Sequence, residues 1–424
     1  MSEWKSVKLG EVAKITMGQS PSSTTYNEFG EGLPFLQGCA DFGPKYPIKK
    51  VYCSDPLKIA ELNSALISVR APVGALNIAD TKYCIGRGLA GILGVTIDQT
   101  FLNYLVSANT YKLESQSQGS TFAAINSGDL SNLSLNVPDS NETQRKIAYI
   151  LSTIDEVIEK TEAAIDKYQA IKAGMMQDLF TRGIDTKTGK LRPTIEEAPE
   201  LYKESELGWI PKEWEIVKIG DFAKIKGGKR MPAGKEFSEA LTPFPYLRVT
   251  DMQNGSIDQS DLKYVPIEIE PLIRSYKISE DDVYVTIAGT LGLFGTIPVN
   301  LDQAQLTENA ARITEFDKIE YGRDFIKHQC NSMIVQGQVV QEIGVGGGVP
   351  KLALYRIAKF LFLKPAIHEQ QAIVERIRVI EHKLSKESVA LTKYKQLKQG
   401  MMADLLTGKV KVKVNLNKNK VENG

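Results

Sequence analysis

Two long stretches of the chain carry apolar residues at alternating spacings of three and four positions. In residues 140–181 and 366–407 this stripe consists of Ile147, Leu151, Ile154, Ile158, Ile165 and Tyr168, and of Ile373, Ile377, Ile380, Leu384, Leu391 and Tyr394. Heptad spacing without proline predicts two helices of roughly 60 Å each, at about 1.5 Å per residue. Their length favours an antiparallel coiled coil between them, and a helix packed on its own domain is the alternative.

The pattern that precedes each helix is written twice. WKSVKLGEVAKITMG from Trp4 matches WEIVKIGDFAKIKGG from Trp214, and LPFLQGCADFG from Leu33 resembles FPYLRVTDMQNG from Phe244. Short runs rich in Val, Ile, Tyr and Thr are broken by turn residues and alternate with helical segments. The sequence therefore predicts two tandem mixed α/β domains (α+β), residues 1–139 and 213–365, each followed by a long helix, with pseudo-twofold symmetry.

The remaining segments are connections by composition. Residues 182–212 contain Pro193, Pro199 and Pro211 among acidic side chains, and this composition indicates a linker that is wrapped or partly ordered. Residues 408–424 form a lysine-rich tail, interpreted as a solvated end or, alternatively, as a nonspecific phosphate contact. The glycine-rich stretch GVGGGVP from Gly344 is typical of a flexible loop rather than of a nucleotide site.

Composition changes this picture little. The formal net charge is +1, and the hydrophobic content of 42% is typical of soluble globular proteins. No phosphate-binding loop, adenine-methylation tetrapeptide, nuclease pattern or zinc-type cysteine spacing occurs, and three unspaced histidines offer little for nucleophilic catalysis. The chain is therefore predicted to be non-catalytic and to bind no metal. Its N-terminus has no apolar signal stretch, so a cytoplasmic location is expected.

Taken in this order and twice over, these features resemble the specificity subunits of type I restriction-modification enzymes. The segments that carry the resemblance include WEIVKIGD from Trp214, PYLRVTDMQNG from Pro245, the Glu-Gln entry to the second helix at Glu369, and the helix endings GMMQDLFTRG from Gly174 and GMMADLLTGK from Gly400. The resemblance covers nearly the whole chain. The first copy departs from it at Gln37, which replaces Arg248.

The resemblance implies that each α/β unit is a target recognition domain that reads one half of a bipartite DNA sequence. The two long helices would be the central and distal repeated regions, which separate the domains and carry two modification (methyltransferase) subunits. Those partners would bind S-adenosylmethionine, and restriction subunits would add an ATP- and magnesium-dependent nuclease. This chain itself would need no cofactor. The competing interpretation is a coiled-coil adaptor whose α/β domains bind protein or glycan.

Ten residues are candidates for DNA contact. Arg248 and Asp251 could read guanine and cytosine edges, and Arg70 and Arg87 are the corresponding candidates in the first domain, with Gln37 at the position of Arg248. Phosphate contacts are expected from five basic residues: Lys49, Lys50, Lys229, Arg230 and Lys351. A salt bridge within the domain is the alternative role for each base-reading candidate. The pairs Met175-Met176 and Met401-Met402 could be packing points for the partners or could pack on a recognition domain.

Overall fold

The computed structural model describes residues 3–117, 124–343 and 350–413, with the side chains of 114–117 left aside. The glycine-rich stretch up to Val349 and the tail from residue 414 lie outside the described residues, so the interpretations given for them stay predictions. The chain forms two compact units, Met1–Ala163 with Ser388–Gly424, and Ala164–Glu387. The boundary between the units falls inside each of the two long helices.

The first unit contains the first mixed domain and parts of both long helices. Its strands are β1 (Trp4–Lys8), β2 (Ala13–Met17), β3 (Tyr26–Asn27), β4 (Leu33–Leu36), β5 (Val51–Cys53), β6 (Ile59–Ala60), β7 (Ala65–Ser68), β8 (Leu76–Ile78), β9 (Tyr83–Ile85), β10 (Leu89–Gly94) and β11 (Ser134–Pro138). Its helices are α1 (Leu9–Val12), α2 (Gln99–Ser117), α3 (Ser127–Ser131) and the start of α4 (Asn141–Thr181).

Two sheets share the core of this domain. A four-stranded sheet has the order β2-β10-β7-β8, a five-stranded sheet has the order β3-β5-β4-β9-β6, and β1 pairs with β11. Strand β7 is buried on both faces, because Ala65 and Ile67 pack with the helices while Leu66 packs with the five-stranded sheet. Side chains alternate along a strand, so burial on both faces explains why this run is continuously apolar.

The second unit repeats this arrangement. Its strands are β12 (Ile184–Asp185), β13 (Lys190–Leu191), β14 (Tyr202–Ser205), β15 (Gly208–Pro211), β16 (Glu215–Lys218), β17 (Lys224–Gly227), β18 (Pro245–Leu247), β19 (Lys263–Tyr264), β20 (Lys277–Ile278), β21 (Val283–Thr286), β22 (Phe294–Gly295), β23 (Ala304–Leu306), β24 (Ala310–Thr314) and β25 (Leu361–Lys364). Its helices are α5 (Ile219–Phe222), α6 (Glu270–Ile273), α7 (Arg323–Cys330), α8 (Met333–Ile343), α9 (Leu354–Ile357) and the start of α10 (Ile367–Leu405).

The strand orders of the two domains correspond. In the second domain they are β17-β24-β21-β22 and β19-β18-β23-β20, with β16 paired to β25. Strand β21 is also buried on both faces, with Val283 and Val285 on one side and Tyr284 on the other. The segment expected to be a linker forms two hairpins, β12-β13 and β14-β15. The expected mixed α/β fold, written twice, is confirmed.

The long helices contact each other inside both units. In the first, Lys398 pairs with Asp155 at 2.6 Å and Lys395 pairs with Glu162 at 2.7 Å. In the second, Lys172 pairs with Glu381 at 2.8 Å, and Lys383 lies 5.9 Å above the ring of Tyr168. Higher positions on α4 meet lower positions on α10 in both units, so the neighbouring segments run antiparallel.

The apolar stripes serve two kinds of packing. The first turns of each helix lie in the core of the preceding domain, as the sequence alternative proposed, with Ile147 and Leu151 in one core and Ile373 and Ile377 in the other. The remaining stripe residues are buried (Ile154, Ile158 and Ile380) or half-buried (Ile165, Tyr168, Leu384, Leu391 and Tyr394). The methionine pairs also pack on domain cores, Met175-Met176 on the second and Met401-Met402 on the first.

A triad of side chains joins each domain to both helices. In the first triad Tyr104 on α2 donates a hydrogen bond of 2.6 Å to Asp155 on α4, which also holds Lys398 of α10. The second triad consists of His328 on α7, Glu381 on α10 and Lys172 on α4, with His328 Nδ1 3.8 Å from the Glu381 carboxylate. Both triads place one carboxylate between an aromatic side chain of the domain and a lysine of the other helix.

Candidate nucleic-acid interface

Three loops of the first domain converge at one end of its sheets. They follow β2 (residues 18–22), β4 (residues 37–41) and β9 (residues 86–88). The Gly18 amide donates to the Leu89 carbonyl at 2.8 Å, and the Gly88 amide donates to the Gln37 carbonyl at 3.1 Å. The Ser20 hydroxyl donates to the Gln37 side chain at 3.0 Å. These bonds hold the three loops together as one face.

The second domain builds the same face from residues 228–232, 248–251 and 307–309. The Gly228 amide donates to Ala310 at 3.0 Å, as Gly18 does to Leu89, and the Thr307 amide donates to Leu247 at 3.1 Å, as Gly86 does to Leu36. These matched bonds make Ser20 equivalent to Arg230 and Arg87 equivalent to Glu308. Each domain therefore presents the same three-loop face with different side chains.

Close backbone approach explains the glycine that opens each face. A Cβ atom on Gly18 would lie 2.1 Å from the Gly86 carbonyl oxygen, and one on Gly228 would lie 2.1 Å from the Thr307 carbonyl oxygen. Both distances are far inside van der Waals contact, so any side chain at these positions displaces one loop from the other.

The structure corrects the correspondence of Gln37 with Arg248. The Ile48 amide donates to the Asp41 carbonyl at 2.8 Å, and the Asp258 amide donates to the Asp251 carbonyl at 2.7 Å, so Asp41 is the equivalent of Asp251. Gly38 then stands at the start of the short helical turn that Arg248 starts in the second domain, and Gln37 is one additional residue. The insertion changes the register by one residue, and direct alignment of the sequences hid it.

Most of the candidate contact residues form ion pairs. Asp251 is only 4% exposed and binds Arg248 through two hydrogen bonds, so the salt bridge that the sequence left as the alternative is present. These bonds raise the pKa of the Arg248 guanidinium. The other ion pairs are Lys49 with Asp80, Lys50 with Asp41 and Arg230 with Glu308.

The other candidates are exposed. Lys229 lies 5.7 Å from the ring centre of Tyr276. Arg70, Arg87 and Lys351 take part in no salt bridge among residues 3–117, 124–343 and 350–413. Arg70 and Lys351 lie at matching backbone bridges, Arg70 opposite Ala124 and Lys351 opposite Ala288. Arg87 and Lys229 lie on the three-loop faces themselves, whereas Arg70 and Lys351 lie on the strand that continues from each face.

A cleft of about 460 Å³ opens on the face of the second domain. Its walls include Arg230, Arg248, Thr250, Glu308 and Asn309. Sequence reasoning missed Glu308 and Asn309, because only the chain reversal after β23 brings them beside Arg230. Among the described residues there is no group of three or more His, Cys, Asp or Glu side chains that could hold a metal ion. In that same part of the chain, no helix is long and apolar enough to span a membrane.

Residues 1–167 and 211–396 match the family described as the type I restriction modification DNA specificity domain. The chain belongs to this family. The two matched ranges contain the two recognition domains with their three-loop faces and most of both long helices. The chain is thus a specificity subunit, which recognises DNA and is not itself an enzyme, and the adaptor interpretation is excluded.

Known proteins similar to this specificity subunit carry matching names. A Methanocaldococcus jannaschii protein named for the type I restriction enzyme MjaX specificity subunit is 43% identical over 190 residues, which is 44% of each chain. This match spans less than half of that relative. The type I restriction enzyme MjaVIII specificity subunit of the same organism is 23% identical over 98% of this chain and 94% of its own.

Solved structures share the fold of this specificity subunit. The S subunit of a type I restriction-modification system from M. genitalium has a TM-score of 0.61 at 15% identity, over 95% of this chain and 96% of its own. A chain from a structure of a type I R-M system described for complex assembly and conformational transition has a TM-score of 0.57 at 14% identity. It covers 96% of this chain and 98% of that one.

Proposed function

We propose that this specificity subunit reads a bipartite DNA target, one half with each three-loop face. The observation that carries the proposal is the repetition of one backbone framework with different side chains, Ser20 and Arg87 on one face and Arg230 and Glu308 on the other. Two equivalent frameworks offer two equivalent docking geometries, while different side chains present different donors and acceptors to base edges. Such a chain recognises two different half-sites in the same manner.

The long helices are proposed to carry the catalytic partners. Two modification subunits would bind S-adenosylmethionine and methylate adenine, and restriction subunits would add ATP- and magnesium-dependent cleavage, all in the cytoplasm. Two similar proteins support this division of labour: the MjaVIII relative is named for a type I restriction enzyme, and the solved chain at a TM-score of 0.57 comes from an assembled type I R-M system. The exposed residues of α4 and α10 beyond the turns that pack in the domain cores provide the surface for such partners.

Domain exchange tests the two-reader proposal. Residues 1–139 are replaced by the recognition domain of another specificity subunit, the chain is assembled with its modification subunits, and N6-methyladenine is mapped in host DNA. One half-site is expected to change while the other half-site stays the same. A change in both half-sites, or the absence of any split target in the parent, would contradict the proposal.

The net charge of +1 motivates a second test. If the modification subunits supply most of the phosphate contacts, the logarithm of DNA affinity falls more steeply with the logarithm of salt concentration for the complex than for this chain alone. Equal slopes for the chain and the complex would overturn that assignment.

A further inference from the structure

Hydrogen-bond donors decide which arginine of the second face can read a base. Guanine presents two acceptors, O6 and N7, in the major groove, and an arginine reads it with two parallel N–H groups along one edge of its guanidinium. A guanidinium has two such edges, one formed by Nε with Nη2 and one formed by Nη1 with Nη2. An arginine whose Nη2 hydrogens are both engaged has lost both edges.

Arg248 has lost both edges. Its Nε donates to Asp251 Oδ2 at 3.1 Å, and its Nη2 donates to Asp251 Oδ1 at 2.6 Å. The second hydrogen of Nη2 is directed to the Asp261 carbonyl at 2.6 Å. Because Asp251 is buried, releasing Arg248 would leave an unpaired carboxylate in the domain interior. Arg248 therefore ties residues 248–251 to Asp261 and is a positioning residue.

Arg230 keeps one edge complete. Its Nε donates to Glu308 Oε1 at 3.0 Å, and within the described residues neither Nη1 nor Nη2 makes a hydrogen bond. Glu308 is itself oriented by the Thr307 hydroxyl, which donates to Oε2 at 3.0 Å. The Arg230 side chain is 74% exposed, against 28% for Glu308. The carboxylate thus restrains the guanidinium from one side and leaves the Nη1 and Nη2 edge accessible at the cleft.

We propose that Arg230, held by Glu308, reads a guanine in the half-site of the second domain, and that Arg248 only supports the loop beside it. This assignment rests on the proposed function of the face. It also reverses the roles expected from the sequence, in which Arg248 reads bases and Arg230 contacts phosphate. In the first domain Arg87 occupies the position of Glu308, so the two faces carry arginine on different loops.

The test compares Arg230→Lys, Arg230→Gln and Arg248→Lys in the full chain, assembled with its modification subunits. Sites of N6-methyladenine are mapped in host DNA. Both Arg230 variants are expected to accept other bases at one position of one half-site, with discrimination there reduced about 10- to 100-fold. Arg248→Lys is expected to lower methylation at the original target without changing the bases accepted. Arg274→Ala, an exposed arginine of the same domain outside the three loops, is the matched control and should reproduce the parent map.

A binding measurement keeps the test decisive if a variant methylates poorly. Each guanine of the parent target is replaced in turn by 7-deazaguanine, which lacks the N7 acceptor, and the affinity of the assembled complex is measured. One replacement in the second half-site should weaken binding by the parent and leave binding by Arg230→Gln unchanged.

The inference is overturned if the Arg230 variants retain the parent target at full stringency, or if Arg248→Lys rather than Arg230→Lys relaxes one base position. A parent complex that still methylates a split target would then leave the proposed function intact. A parent complex without a split target would overturn the proposed function itself.

Discussion

Removal of Arg192 is expected to be among the most damaging single changes in the second unit. The carboxylate of Glu369, on the first turn of α10, is buried and accepts hydrogen bonds from Arg192, the Ile184 amide and the Trp214 indole. Arg192→Met leaves this carboxylate with two neutral donors and no counter-charge. Breaking a buried ion pair from one side costs about 3–5 kcal/mol, so the free energy of unfolding should fall by that amount.

Trp214 reports on this site because it is fully buried and bonded to Glu369. Urea unfolding is followed by its fluorescence in a chain in which Trp4 and Trp209 are replaced by phenylalanine. Lys364→Met is the matched control, because it removes an exposed ion pair with Glu320 in the same unit and should cost less than about 1 kcal/mol.

A second variant separates the ion pair from simple packing. Glu369→Gln added to Arg192→Met removes the unpaired charge, so the double variant should lose less free energy of unfolding than the sum of the two single variants, by about 1 kcal/mol or more. The reasoning is refuted if Arg192→Met costs no more than Lys364→Met, or if the two changes are additive.

Two further predictions concern pH and backbone approach. Burial lowers the pKa of His328 to about 4 from 6.5, against opposition from Glu381 and Asp324 and with support from Lys327 and Lys172; its contribution is therefore complete above pH 6.5 and is lost as the pH falls towards 4. The free energy of unfolding of the parent minus that of His328→Gln should fall by roughly 3 kcal/mol over this range, and a pH-independent difference in urea unfolding would contradict it. Gly228→Ala should reduce methylation of the target about a hundredfold by displacing residues 307–309, whereas Gly337→Ala, with open space around it, should not; equal methylation by both variants would argue against the face.

The helical part of the fold was predictable because it rests on a local, repeated pattern. Helices expected at 140–181 and 366–407 are Asn141–Thr181 and Ile367–Leu405 in the structure. The same stripe cannot say which turns pack on a domain and which on the other helix, because both surroundings are apolar. Ile147 and Ile165 look alike in the sequence, yet the first is buried in the domain core and the second is half-buried.

The recognition faces were predictable in place and much less in detail. Four candidates from the sequence, Gln37, Arg87, Lys229 and Arg230, lie on the three loops, because turn residues after short strands are recognisable. The role of Arg248 depends on Asp261, which is reached through a fold of the intervening loop. Glu308 became visible only when backbone hydrogen bonds aligned it with Arg87.

The two triads have a consequence for how such a chain can be recombined. Tyrosine, the longer aromatic, meets the shorter Asp155, and histidine, the shorter aromatic, meets the longer Glu381. The reach of each aromatic is thus matched to the acid on the helix that follows its own domain. A transplanted domain that ends before residue 140 would bring its aromatic to a foreign acid, one methylene too short or too long. Domain and early helix are therefore one heritable module, and seamless exchange requires a junction beyond Asp155 or Glu381.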